Sequence, residues 1–565
     1  MHIIDWAVLT ITLAAVVVYG LVKSRNLQKS EDFLAGKRDL KWITIGFSIM
    51  ATQASAITFL STPGQSFADG MQFLQFYFGM PIAMIILAYL ILPIYYNLRI
   101  TTAYEYLEQR FDLRMRTFTA VLFLFLRGIS AAISIYAPGI ILSAVLGWNL
   151  ALTNFFLAAF VILYTTLGGN TAVSRTQELQ MSIMLGGLIL ALGLIFLKLP
   201  HNVGLPEAWS IAEVTGKSTI VDWSFNWHDR YNIWSGLLGA TFLFLSYFGT
   251  DQSQVGRYLS GKTLRESRTG LLFNGFIKIP MQFLILLVGI MVFVFYQFKQ
   301  PPLYFNEATR EKIRQTTQEA TFTQLENKAA SIHQEKQSAL NDFVNALKTE
   351  NTAQEATSRA KLQDLELQRT NIRKSALETA KIALPNADVR DKDFVFIDFV
   401  RHNMPIGLIG LMFAMIFCAS WSTTASELNA LAATTASDIY RRSIVKNRDD
   451  THYMKASRYF TFGWGLFIML FASFVALPEN LIQAVNMIGS IFYGTMLGIF
   501  LTAFFLKNVG AKAVFWAAIA AQATVLYCYF AVDKDAYLWY NPLGCSIVMA
   551  VSQLLQWTLF RLRKT

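Results

Sequence analysis

Residues 50–58 read Met50-Ala51-Thr52-Gln53-Ala54-Ser55-Ala56-Ile57-Thr58, inside an apolar run that begins near residue 42 and stops at Pro63-Gly64. Hydrocarbon offers backbone groups no water, so a membrane helix unwinds only where it is buried in protein or lines a cavity. A span interrupted by small and polar residues is the sequence mark of a carrier's central site, because the missing bulk lets carbonyls turn toward a ligand. A later apolar run holds a similar stretch, Cys418-Ala419-Ser420-Trp421-Ser422-Thr423-Thr424-Ala425-Ser426. Ser422 and Ser426 are four apart and share a helix face, with Thr423 one step round. Neither stretch contains a carboxylate. Uncharged carbonyl and hydroxyl oxygens suit Na⁺, whereas a dedicated Ca²⁺ site brings several carboxylates. Any one of these residues alone reads first as helix packing or as a hydroxyl bonded back to its own helix. Two such breaks, one at 50–58 and one at 418–426, together point to an ion site.

The rest of the chain sets the frame. Of 565 residues, 54% are hydrophobic and 15% charged, with a mean hydropathy of +0.40. A soluble domain carries roughly 25% charge, so a water-soluble enzyme is excluded. Runs long enough to cross a bilayer fall near 3–22, 42–62, 76–97, 117–145, 149–167, 178–199, 233–255, 271–297, 402–436, 457–477, 481–506, 511–532 and 540–560. The sequence therefore predicts an all-α polytopic membrane protein of about thirteen spans in the cell (inner or plasma) membrane. The first run is expected to stay as a span, since its basic residues follow it, the reverse of a signal peptide.

Charge gives the expected direction. Lys23, Arg25, Lys29, Lys37, Arg38 and Lys41 follow span one, and Arg99, Arg110, Arg114 and Arg116 follow span three. Arg257, Lys262, Arg265 and Arg268 follow span seven; Arg441, Arg442, Lys446, Arg448 and Lys455 follow span nine; Arg561, Arg563 and Lys564 end the chain. The alternate short connections 63–75, 146–148 and 478–480 lack Lys and Arg. This pattern places the N-terminus outside and the C-terminus in the cytoplasm. It also accounts for the net charge of +11. Basic residues dispersed over many short loops do not make a nucleic-acid surface.

Three segments organise the chain: spans one to eight over 1–299, a polar insertion over 300–400, and spans nine to thirteen over 401–565. The insertion lacks Gly and carries apolar tracks at helical spacing, Phe322, Leu325, Ala329, Ile332 and Leu340, Phe343, Leu347 in one arm. Leu362, Leu365, Ile372 and Leu377 mark a second, beyond Glu350-Asn351-Thr352. That predicts an extracytoplasmic helical hairpin, either plain decoration or a docking element for a protein partner. Ionisable residues within spans are costly and mark function or internal pairing; here they are Glu178, Asp251, Lys278 and Glu427. Paired acids, His clusters and Cys/His pairs are lacking at membrane depth, which counts against an intramembrane enzyme.

Several segments in order resemble the sodium:solute symporter family. They are Asp32-Phe33-Leu34-Ala35-Gly36-Lys37, the 50–58 stretch, Thr102-Ala103-Tyr104-Glu105-Tyr106-Leu107-Glu108-Gln109-Arg110-Phe111, Asp251-Gln252 through Arg257-Tyr258-Leu259, and Ser426-Glu427-Leu428-Asn429-Ala430 leading to Asp438-Ile439-Tyr440. The resemblance implies two inverted five-helix repeats with broken helices, spans two to six (42–199) and seven to eleven (beginning 233–299). It implies a Na⁺ site at the carbonyls of Ala51, Ala54 and Ala419 and the hydroxyls of Ser422 and Thr423. Substrate-facing positions fall on Thr58, Tyr77, Met80, Phe244, Lys278 and Asn486, with Tyr247 as an inner gate. The family's Trp-Thr-Asp-x-x-Gln reads Arg175-Thr176-Gln177-Glu178-Leu179-Gln180 here. Either Glu178 replaces the acid missing at Gln177 from about 100° round the helix, or the ion exit path differs. The implied function is Na⁺-coupled import of a small organic solute, needing no cofactor beyond Na⁺ as coupling ion. Lys278, Asn486 and Thr58, with no obvious acid beside them, lean toward a carboxylate-bearing solute. The alternative is a membrane sensor built on the same bundle, disfavoured because only Arg561–Thr565 follow the last expected span.

Overall fold

The computed structural model describes residues 1–23, 36, 38–385, 391–474 and 481–559. Most of the Asp32–Lys37 motif, the basic residues Arg25, Lys29, Arg561, Arg563 and Lys564, and the connection 478–480 lie outside the described residues. In chain order the helices are α1 Ile3–Lys23, α2 Trp42–Gln53, α3 Ala56–Asp69, α4 Gln72–Asn97, α5 Ala103–Arg110 and α6 Leu113–Leu146. They continue as α7 Leu150–Asn170, α8 Ala172–Leu197, α9 Leu205–Val214, α10 Ser235–Gly249, α11 Gln252–Tyr258 and α12 Leu264–Phe298. The hairpin helices are α13 Glu319–Lys348 and α14 Thr352–Ala383. The last six are α15 Val395–Asn403, α16 Leu408–Thr434, α17 Asp450–Phe474, α18 Leu481–Phe505, α19 Ala511–Tyr527 and α20 Tyr540–Thr558.

Among the described residues, ten spans are long and apolar enough to cross a membrane when α2 and α3 count as one. The other three expected spans fall on the 15-residue α10 with α11, on α17 and on α20, which are helical but shorter or less apolar. The α7–α8 boundary is set by Gly169, whose φ of 57° and ψ of −164° suit only a residue without Cβ.

The break expected in span two is present. Helices α2 and α3 meet at 62° across Ala54-Ser55, with Ala54 at ψ 76° and Ser55 extended. No Gly or Pro makes this turn: Ala54 leaves helical geometry and Ser55 N–H turns to Gln53 O. The stretch 418–426 behaves differently, because α16 runs unbroken through it and the helix ladder is kept. Ser and Thr fit a helix interior by donating to the carbonyl a turn earlier, as Ser426 does to Ser422 O at 2.9 Å. The second break instead lies in span seven, at Thr250-Asp251, where Asp251 leaves helical geometry (φ −84°, ψ 118°) and caps α11 through Ser253 N–H at 2.9 Å.

The basic loops gather at one end of the bundle. There Arg38 donates to Ile100 O, Leu40 pairs with Gly261, and Glu266 accepts from Trp42 N–H. The hairpin packs at the other end. Its helices meet through Leu340, Phe343, Leu362 and Leu365 and a partly buried Lys336–Glu366 ion pair. Gln363 reaches Val214 O at 3.0 Å, and Lys392 pairs with Asp69 at the end of α3 at 2.8 Å.

Candidate functional site

The break in span two creates an oxygen cluster. In an unbroken helix Ala51 O would accept the N–H of Ser55, but that N–H turns to Gln53 O at 3.1 Å. Ala51 O faces α16 instead, accepting from Ser422 Oγ at 2.8 Å and Thr423 Oγ1 at 3.4 Å. Ser422 Oγ also donates to Ala419 O at 3.0 Å. Four of the five expected ligands are therefore in mutual contact and buried. Ala54, the fifth, sits at the break itself, fully buried. An ion of Na⁺ or Ca²⁺ size, with oxygens at about 2.4 Å, spaces adjacent octahedral ligands about 3.4 Å apart. The observed oxygens need only small outward shifts to meet that spacing.

Beside this cluster, Gln177 donates from Nε2 to Thr52 Oγ1 at 3.0 Å, Ser422 O at 3.0 Å and Ser426 Oγ at 2.6 Å. Its Oε1 accepts from Ser48 Oγ at 2.5 Å. Glu178 points elsewhere, accepting from Thr44 Oγ1 at 3.2 Å. The carboxylate one step round the helix therefore does not enter the cluster that Gln177 occupies.

A narrow cavity of about 90 Å³ adjoins these oxygens through Thr423, and Thr52 and Gln53 from the end of α2 line it as well. Of the expected substrate-facing residues, Thr58, Tyr77, Phe244 and Asn486 line it, as does Tyr247. Met80 and Lys278 do not line it; both are fully buried behind the wall. Lys278 Nζ lies 5.7 Å from the Tyr77 ring centroid, with no hydrogen-bond partner among the described residues. Aromatic rings close one end: Phe76 packs at 5.1 Å and Tyr77 at 5.9 Å from Phe244. At the other end Tyr247 packs 5.8 Å from Tyr493 and accepts from Gln254 at 2.6 Å.

Sequence reasoning missed the partner of the intramembrane acids. Arg127 lines the cavity and is buried between Asp251, with which it pairs directly, and Glu427 at 2.9 Å. Tyr493 Oη donates to Asp251 at 3.1 Å and accepts from Arg127 at 2.5 Å. Asp251 is fully buried within an ion-paired network, the internal pairing expected of an acid inside a span. Glu427 also lines the cavity, so the expectation of no acid there is corrected. The signal available was Arg127 itself, a lone cation deep in an otherwise apolar run, which a buried carboxylate must compensate.

A helical bundle in which a sharply bent span turns carbonyls toward a hydroxyl-bearing helix, next to a central polar cavity, has the architecture of a membrane carrier. The chain belongs to the sodium:solute symporter family, whose model matches residues 33–317 and 375–521. It is 26% identical to the sodium/sialic acid symporter NanT of Aliivibrio fischeri, over 96% of this chain and 90% of that protein. It is 24% identical to the sodium/sialic acid symporter SiaT of Proteus mirabilis, over 97% and 94%. The human sodium/iodide cotransporter is 31% identical over 48% of this chain, which spans only 42% of that protein's length. The fold matches the substrate-bound outward-open structure of a Na⁺-coupled sialic acid symporter with a TM-score of 0.76 at 23% identity, covering 98% of this chain and 97% of that one.

Proposed function

We propose that the protein imports a small, carboxylate-bearing organic solute by coupling it to inward movement of Na⁺. Ala51, Ala54 and Ala419 supply carbonyls to the ion, and Ser422 and Thr423 supply hydroxyls. The observation that carries this reading is Thr423, which belongs both to the oxygen cluster and to the cavity wall. An ion there draws α2 and α16 together and shapes the wall the solute meets, so each ligand raises the affinity of the other.

The broken span offers two opposite charges at one depth. Helix α2 ends with carbonyls toward the ion, and α3 begins with Ser55, Ile57 and Thr58 on the cavity, its positive dipole end suited to a carboxylate. Ser55 makes no side-chain cap, and Asn486 Nδ2 and Arg127 Nε have no hydrogen-bond partner among the described residues. These donors support an acidic solute bound beside the α3 end. The likeness to sodium/sialic acid symporters, with nearly whole-length alignments, makes a sugar acid the first solute to test.

Transport in this scheme alternates between the aromatic cover at Phe76, Tyr77 and Phe244 and the inner gate at Tyr247 and Tyr493. Breaks in spans two and seven, the first helices of the two expected halves, support thirteen helices with paired inverted five-helix repeats. The basic loops, gathered at the end opposite the hairpin, support a cytoplasmic C-terminus and an outward hairpin. A thermal-shift screen of sugar acids, monocarboxylates, neutral sugars and amino acids, with Na⁺ or choline, tests the reading. Stabilisation by a carboxylate only when Na⁺ is present is expected. A neutral sugar as the sole ligand, or stabilisation independent of Na⁺, overturns it.

A further inference from the structure

At the basic end of the bundle a polar cavity of about 840 Å³ lies between the α5–α6 corner and the end of α16. Its lining includes Glu108, Arg116, Arg441, Arg442, Lys446 and Arg448. Glu108 already shows how the site holds an anion. Its carboxylate accepts from Arg116 Nη1 at 2.7 Å on one side and from Arg442 Nη2 at 2.6 Å on the other. Arg116 is further committed to the buried Asp438, at 2.7 Å. Arg441, Lys446 and Arg448 are exposed and have no carboxylate within ion-pair distance among the described residues. Glu105 and Glu108 are the acids in the wall, against five cations, so the cavity is positive.

The backbone that carries these three cations is anchored at the cavity. Arg441 stacks its guanidinium 4.8 Å over the Tyr453 ring. Tyr453 Oη donates to Val445 O at 2.9 Å and accepts from Arg448 N–H at 3.3 Å, pinning the turn that carries Lys446 and Arg448. Asn447 takes the left-handed conformation, φ 59°, at the apex of that turn, a geometry Asn tolerates better than most residues.

We propose that this cavity is a binding site for a phosphoryl group, presented either by an anionic phospholipid headgroup or by a soluble phosphate compound. Forked guanidiniums and an ammonium around a cavity match the tetrahedral, anionic phosphoryl oxygens, and a basic pocket at a bundle's charged end suits a headgroup. The bound group bridges α5 and α6 to the end of α16 and the start of α17. That junction is already tied by Thr102 to Asp438 at 2.6 Å, and Gln252 of α11 holds the 101–103 backbone at its edge. Occupancy therefore favours the conformation in which this end stays assembled. The proposal does not depend on the identity of the transported solute or on the ion site.

The test compares wild type with R441Q/K446Q/R448Q and with a charge-matched control, K328Q/K361Q/K374Q, on exposed hairpin positions. One arm titrates pyrophosphate onto detergent-solubilised protein. The other follows unfolding temperature in phosphatidylcholine nanodiscs with and without phosphatidylglycerol. Wild type and control bind one of the two probes, and the pocket variant loses affinity by about fivefold per cation, roughly a hundredfold in all. Pyrophosphate binding identifies a soluble ligand, and a response to phosphatidylglycerol alone identifies a lipid headgroup. Binding of neither probe overturns the proposal, as does equal binding by the pocket variant and wild type, or equal loss in the pocket variant and the control.

Discussion

Replacing Ser422 and Thr423 together by Ala removes both hydroxyls from the oxygen cluster and leaves every backbone carbonyl in place. A hydrogen-bonding group facing a full charge contributes about 1.5–3 kcal/mol, so two lost ligands amount to about 3–6 kcal/mol. At tenfold per about 1.4 kcal/mol, the half-saturating Na⁺ concentration rises by roughly two to four orders of magnitude. The same change removes the donors that satisfy Ala51 O at 2.8 and 3.4 Å, a buried carbonyl freed from the helix ladder by the break. That costs about 1–3 kcal/mol of ion-free stability, so unfolding must be measured alongside. Thr423→Ser keeps the hydroxyl and serves as control. The assay is Na⁺-dependent solute uptake in proteoliposomes, paired with Na⁺ titration of the unfolding temperature. An unchanged half-saturating Na⁺ in a folded double variant refutes the ligand assignment.

Three further outcomes follow from other parts of the molecule. Asp251→Asn leaves Arg127 with Glu427 as its carboxylate partner among the described residues, and a broken buried pair costs up to about 3–5 kcal/mol; a denaturant midpoint unmoved by the change refutes the network's structural role. Gly64→Ala places a Cβ 1.8 Å from Lys392 O, a backbone atom that cannot step aside, so the hairpin root is pushed off α3 at about 1–3 kcal/mol; normal stability and uptake would show the root to be compliant. His333 is pushed down to about 4 by burial, then by Arg369 and Lys336, so the unfolded chain binds its proton more readily than the folded one. Its contribution is complete above about pH 6.5 and falls toward pH 4 by up to about 1.4 kcal/mol per pH unit; His333→Asn flattens that part of the stability profile, and an unchanged profile refutes the assignment.

Composition and apolar run length determined the membrane class and most spans, because hydrocarbon forces each crossing to declare itself over about 20 residues. The break in span two was legible because a run of small and polar residues inside an apolar span is where a carrier helix unwinds. Ser422 and Ser426 were legible as one face of a helix, with Thr423 one step round, since periodicity is local. The sequence could not show that 418–426 stays helical while 250–251 breaks, since Ser and Thr are compatible with either state until neighbouring helices settle which carbonyls are satisfied. Nor could it show that Lys278 lies behind Tyr77 while Arg127 reaches the cavity, because both are single cations in apolar runs. Which cation meets the carboxylates of Asp251 and Glu427, 124 and 300 residues from Arg127, depends on helix packing, and only the tertiary structure decides it.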